Sequence, residues 1–281
     1  MPVPPSLTPL LGLSDVAAGS PVAYIVGGLS LSAQDREFAA QLVADFAMSV
    51  ACGVSPVLER WRRRRDGGPA EVGTALATVK TYASIGFGSP ENPPNADHLQ
   101  GHVAEIIWNL LLGERSPTAD GRQLRRVHRV KADPLEPGGD GLVIYTDHQG
   151  VLVFRLWEIK KHDATGRVSG TINRASKQLA QRGHEYLAKL AAPESMVEED
   201  DLAELYGSMV DLWFDRSDRA GVGVAVGTSE VHAPSGPRTF RSIRTAFPEF
   251  SQSTQTEALV IAMPDYAGFS DRVKEIVWSG L

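Results

Sequence analysis

Asp140-Gly-Leu-Val-Ile-Tyr145, then Thr146-Asp-His-Gln-Gly150, then Val151-Leu-Val-Phe-Arg-Leu-Trp-Glu158-Ile-Lys160 is the stretch that decides the fold. Leu142–Tyr145 and Val151–Lys160 are apolar strand runs, and Asp147-His-Gln-Gly150 between them reads as a hairpin turn. Strand side chains alternate, so Glu158 and Lys160 share one face while Ile159 and Trp157 take the other. Asp140 sits between Gly139 and Gly141 at the head of the first strand, where glycine allows a ligand close to the backbone. A carboxylate and an ammonium at the end of an apolar strand are costly if buried unpaired. The hairpin brings Asp140 and Glu158 close together. Two hard oxygen ligands with waters suit Mg²⁺ or Mn²⁺.

Upstream, Gly101-His-Val-Ala-Glu105-Ile-Ile-Trp-Asn-Leu-Leu-Leu112 places one acid, Glu105, inside an apolar helix spanning about 96–112. Between that helix and the hairpin lie a strand candidate, Arg125–Val130, and a loop, Asp133-Pro-Leu-Glu-Pro-Gly-Gly139. Downstream come a long helix from about Ser169 to Ala191, an acidic loop over Pro193–Asp201 and a helix over Asp201–Asp215. Strands Val222–Val226 and Ala258–Met263 and a closing helix over Asp271–Trp278 complete the chain. On the N-terminal side, 1–20 reads as an extended lead-in and 22–26 as a short strand. A helix starting at Ser32 carries Phe38, Leu42, Phe46 and Val50 four apart, with Ser32 and Asp35 as its capping pair. Further helices span Val57–Arg65 and 70–84. The turn-rich stretch 86–95 is the best boundary, dividing a mainly helical region, 1–95, from an α/β domain, 96–281.

This order, helix with Glu105, three strands with Asp140 and Glu158-Ile-Lys160, helix, strand, resembles the PD-(D/E)XK nuclease superfamily over roughly 96–230. The resemblance implies a restriction-endonuclease-like mixed sheet (an α-β-β-β-α-β core) and Mg²⁺- or Mn²⁺-dependent endonuclease activity on the phosphodiester bonds of DNA. It implies that Asp140 and Glu158 bind the metal, Lys160 assists the attacking water, and Glu105 supports the metal or binds a second ion. Gly138-Gly139 replaces the family's proline before the aspartate. The helix after the lysine often presents a Gln or Tyr to the site; Gln178, Gln181 and Tyr186 are available here without the usual Gln-x-x-x-Tyr spacing. A narrower likeness is to the nuclease subunit of Hachiman-type anti-phage defence systems, which implies a helicase partner. The alternative is a non-catalytic nucleic-acid- or helicase-binding module on the same fold, or a regulatory partner gated by the acidic loop.

The chain has 281 residues, 42% hydrophobic and 22% charged, enough to bury a full core. Its net charge of −6 means that contact with nucleic acid depends on local basic patches. Arg122, Arg125, Arg126, His128, Arg129 and Lys131, continued by Lys160, Lys161 and His162, form one such zone, with Gln178 as a further contact. Arg60 and Arg62–Arg65 form a second, read first as a solvated helix end, and Arg238, Arg241 and Arg244 a weaker third. Glu194, Glu198, Glu199, Asp200 and Asp201 read as a solvated acidic surface that could instead mimic phosphates. His98 and His102 have i,i+4 spacing but lack the HExxH order, so they read as surface histidines instead of a zinc site. Single Cys52 excludes a disulfide framework. No basic leader with a long apolar run precedes the fold, so the cytoplasm is the expected address. The GxxxxGK[ST], GxGxxG and GxSxG patterns are lacking, which argues against a nucleotide-driven motor, a dinucleotide enzyme or an α/β-hydrolase.

Overall fold

A computed structural model describes residues 6–16, 20, 22–133, 139–163 and 165–281. Its helices are α1 (Leu7–Leu10), α2 (Ala33–Cys52), α3 (Pro56–Arg65), α4 (Gly73–Phe87), α5 (Ala96–Glu114), α6 (Val168–Glu194), α7 (Asp200–Phe214), α8 (Arg241–Ala246) and α9 (Tyr266–Ser279). The strands are β1 (Ser14–Val16), β2 (Ala23–Gly27), β3 (Gln123–Val127), β4 (Gly141–Thr146), β5 (Leu152–His162), β6 (Val222–Ser229) and β7 (Thr256–Met263). They form one mixed sheet of order β1-β2-β7-β6-β5-β4-β3. β2, β7, β6 and β5 run parallel, while β1, β4 and β3 each pair antiparallel with their neighbours. The chain is therefore mixed α/β.

Alternation along the strands builds two cores. Val143, Tyr145, Val153, Trp157 and Ile159 pack against α5, with α2 and α9 continuing the same layer. Leu142, Ile144, Phe154 and Leu156 pack against α6 and α7 on the other face. The segment before residue 95 adds β2 alongside β7 and puts α2–α4 into the α5-side core, so the apolar interior continues across the turn-rich stretch. No helix among the described residues is long and apolar enough to cross a membrane.

Several element ends move for local reasons. The last helix begins at Tyr266 because Asp265, with φ +53°, accepts the Gly268 N–H at 3.0 Å. Ser32 caps α2 as expected, accepting the Asp35 N–H at 3.1 Å. β3 starts and ends earlier than its apolar run suggests, with a register shift between Leu124 and Arg126. Within the lead-in, Leu7–Leu10 is a helical turn and Ser14–Val16 pairs with β2. The basic 238–244 segment is a 3₁₀ turn running into α8. Residues 134–138 of the expected loop before Asp140, Gly138 among them, lie outside the described residues, as do 1–5.

Two tryptophans lock the sheet to α5. Trp108 and Trp157 are tilted against each other with ring centroids 5.8 Å apart. Their backs rest on glycines: a Cβ on Gly141 would lie 2.2 Å from the Trp108 ring, and one on Gly223 would lie 2.2 Å from that of Trp157. Gly139 is tight as well, with its Cβ position 2.9 Å from Tyr186 Cβ. The glycines around Asp140 thus admit protein side chains, where the sequence reading expected room for a ligand.

At the hairpin end, Arg155 is fully buried. It donates to the carbonyls of Thr254 (2.8 Å) and Phe154 (2.7 Å) and lies 3.5 Å from Glu257. Glu257 also pairs with Arg122 at 2.7 Å, and Arg122 lies over the Tyr145 ring. Gly141→Ala is expected to destabilise the fold by about 1–3 kcal/mol through overpacking. Gly113→Ala, where nothing lies within 4 Å of the added Cβ in exposed helix, should stabilise it by roughly 0.5–1 kcal/mol. Denaturant melts of the two variants would show the opposite signs.

Candidate active site

The register of the hairpin sets the site. Gly141 pairs with Trp157, so Asp140, one residue before β4, comes level with Glu158. Asp140 Oδ2 accepts the Ile159 N–H at 2.8 Å, which fixes the carboxylate against the neighbouring strand. Glu158 and Lys160 alternate onto the α6 side of β5, while Trp157 and Ile159 enter the α5 side. The Lys160 Nζ touches Glu158 Oε1 and lies 3.8 Å from Asp140 Oδ2. The site lies toward the carboxyl end of β5, the end where ligands sit in open α/β sheets.

Burial and charge then act together. Glu158 has no exposed surface, and the Lys160 ammonium at Oε1 is its ion-pair partner. Burial, and next the charge of Asp140, push the Glu158 carboxyl up to about 7 despite the pull of Lys160. Burial likewise raises Asp140, against the pull of Lys160 and the Ile159 N–H. Lys160 is pulled down by burial, but the charges of Glu158 and Asp140 outweigh it and hold the ammonium above its ordinary value. Glu105 enters from α5. Burial first and Asp140 second push it up to about 8, with Lys131 and Lys160 opposing. It lies within electrostatic reach of the hairpin acids. Among the described residues, however, no three His, Cys, Asp or Glu side chains form a metal-holding group. The convergent oxygen donors are therefore the pair Asp140 and Glu158.

A buried carboxylate whose ion-pair partner is a flexible ammonium, beside a second carboxylate, fits a hard divalent cation that keeps several of its own waters.

The basic zone is smaller than its sequence suggests. Arg122, His128 and His162 are buried. Arg122 pairs with Asp120 and Glu257, and His128 meets the Tyr206 hydroxyl at 2.8 Å. Arg126 is held by Glu194 (2.9 Å) and Glu198, and Arg125 lies 3.8 Å from Asp201. The acidic segment, read as a solvated surface, therefore lies against β3. Lys161 pairs with Asp97 at 2.8 Å and with Asp163. Arg129 is exposed, and Lys131 acts on Glu105 and Asp140 through its charge. Arg62 and Arg65 grip Asp45, and Arg63 pairs with Glu71. His98 is exposed, but His102 is buried against Phe87, contrary to the expectation of two surface histidines.

On α6, Gln178 donates to the Tyr186 hydroxyl at 2.9 Å, spanning two helical turns. Arg182, midway between them on the same helix stripe, lies over the Tyr186 ring at 5.2 Å and senses the Glu158 charge. The sequence reading passed over Arg182. The signal was its four-residue spacing from both Gln178 and Tyr186.

Comparison with protein-family models, with curated proteins and with solved structures gives no match.

The raised Glu105 carboxyl has a pH consequence. Its folded value, about 8, lies above the ordinary 4.5. The native state therefore holds a proton that the unfolded chain gives up, and stability from this group declines as pH rises from about 4.5 to 8. Glu105→Gln should leave the melting temperature of the metal-free protein unchanged near pH 4 and raise it near pH 8. Melting curves in EDTA across that range test this. A constant offset at every pH would contradict it.

Proposed function

We propose that this chain is a divalent-cation-dependent nuclease of the PD-(D/E)XK type, with a restriction-endonuclease-like core, that hydrolyses phosphodiester bonds of DNA. The observation that carries this reading is the convergence of Asp140, Glu158 and Lys160 from two adjacent strands, with the ammonium in contact with one carboxylate and 3.8 Å from the other. The element order α5, β3, β4, β5, α6, β6, with α7 inserted before β6, supports the core assignment.

Asp140 and Glu158 would hold the cation, which would supply polarisation of a phosphoryl oxygen and a lowered pKa for a bound water. Lys160 lies beside both acids, where its ammonium can orient the attacking water or offset negative charge growing on phosphorus. Glu105, on α5, would support the cation in its charged form. Arg182 and Gln178, on the face of α6 nearest Lys160, contact the phosphodiester backbone. Lys131, Arg129 and Lys161 extend that path, and Arg125 and Arg126 join it when the acidic segment releases them. No nucleotide-binding loop is present in the sequence, so strand separation falls to a helicase partner, as in the anti-phage systems the motif resembles.

Asp140→Ala, Glu158→Ala and Lys160→Ala should each reduce Mg²⁺-dependent cleavage of plasmid DNA by about 100-fold or more, with circular dichroism showing an intact fold. Undiminished cleavage in all three would refute the site. Arg182→Ala should weaken DNA binding and lower the salt slope of log Kd by about 1, the signature of one lost phosphate contact. An unchanged slope would remove Arg182 from the path.

A further inference from the structure

We propose that Lys160 is the counter-ion of Glu158 and Asp140 before metal binds: its ammonium takes the cation position between the two acids, and a divalent cation enters by displacing it. This rests on the metal-dependent reading above and concerns how that site is loaded.

The geometry places the ammonium where a cation would stand. Nζ is in contact with Glu158 Oε1 and 3.8 Å from Asp140 Oδ2, so a single positive charge is shared between two acids on neighbouring strands. Exposure is graded outward. Glu158 has none, the Asp140 side chain keeps 18%, and that of Lys160 keeps 35%. The lysine is thus the outermost of the three and caps the carboxylate beneath it. Asp140 is tied to the Ile159 N–H and Glu158 is enclosed, whereas Lys160 has a flexible four-carbon stem and a partly solvated end. When a cation approaches, the lysine is the member free to move.

A divalent and a monovalent cation a few ångströms apart in a partly buried site repel strongly. The ammonium therefore competes with the metal for the same two carboxylates and weakens its apparent affinity. Once displaced, the amine is left beside the loaded site, where it can act on a water. One residue thereby serves two states: it neutralises the acids when the site is empty and becomes available to the reaction when the site is filled. Glu105 on α5, Lys131 after β3 and Arg182 on α6 also act on the acids through their charge.

The test is Mn²⁺ binding by isothermal calorimetry on the full chain without nucleic acid, comparing wild type, Lys160→Met and Lys160→Arg. Lys160→Met is expected to bind Mn²⁺ about tenfold more tightly or better, and Lys160→Arg, which keeps the charge, should stay within a few-fold of wild type. In EDTA at pH 8, Lys160→Met should melt below wild type, because two acids have lost their counter-ion, and should gain more than wild type from added Mn²⁺. Equal or weaker Mn²⁺ affinity in a folded Lys160→Met protein overturns the counter-ion role while leaving the metal site standing. Failure of all three proteins to bind Mn²⁺ overturns the metal site and the counter-ion role together.

Discussion

The antiparallel pairing of β4 with β5 is the constraint on which the site depends. Six residue pairs run from Gly141 opposite Trp157 to Thr146 opposite Leu152, and each has at least one apolar side chain committed to one core or the other. A slip of one residue would turn Trp157 toward α6 and Glu158 into the α5 core. Hydrophobic burial thus holds two carboxylates side by side despite their repulsion. The ammonium of Lys160 is what makes that placement tolerable, since a buried acid without a partner is strongly destabilising. The chemistry at the strand end is imposed by packing along the rest of the strand.

Charge in this protein is spent largely on itself. Arg62, Arg63 and Arg65 are all engaged by carboxylates near their helix end, and Arg125 and Arg126 by residues of the segment around α7. A linear count of basic residues therefore overstates the surface open to phosphate. Exposed ion pairs of this kind contribute little to stability and are readily exchanged. Such a surface becomes more positive only when a stronger anion competes for it.

Much of this was readable in the chain. The two apolar runs around Asp147–Gly150 announce the hairpin, and the period of two assigns Glu158 and Lys160 to one face. Ser32 announces the start of α2. The start of α9 was not readable, because it depends on Asp265 adopting a left-handed conformation that no hydrophobic pattern signals. The short pairing of β1 with β2 is likewise set by tertiary contact instead of local preference. Arg122 was read as part of a basic surface because an arginine in a polar stretch looks solvated. Its burial depends on Glu257, which lies far along the chain. The environment of Glu105 could be guessed from its apolar neighbours, but its electrostatic link to Asp140 required knowing where α5 crosses the sheet.

The Arg155 cluster has a mechanical meaning. A single guanidinium joins the middle of β5 to the turn leading into β7, and through Glu257 and Arg122 to the segment entering β3. That margin of the sheet is clamped, as the blade of a tuning fork is clamped at its stem. At the opposite margin Lys160 joins Glu158 and Asp140, and the Thr228 hydroxyl donates to the His162 carbonyl at 2.9 Å across β5 and β6. A load on β5 near the hairpin is thereby passed to β7 and to the segment entering β3 through one buried guanidinium.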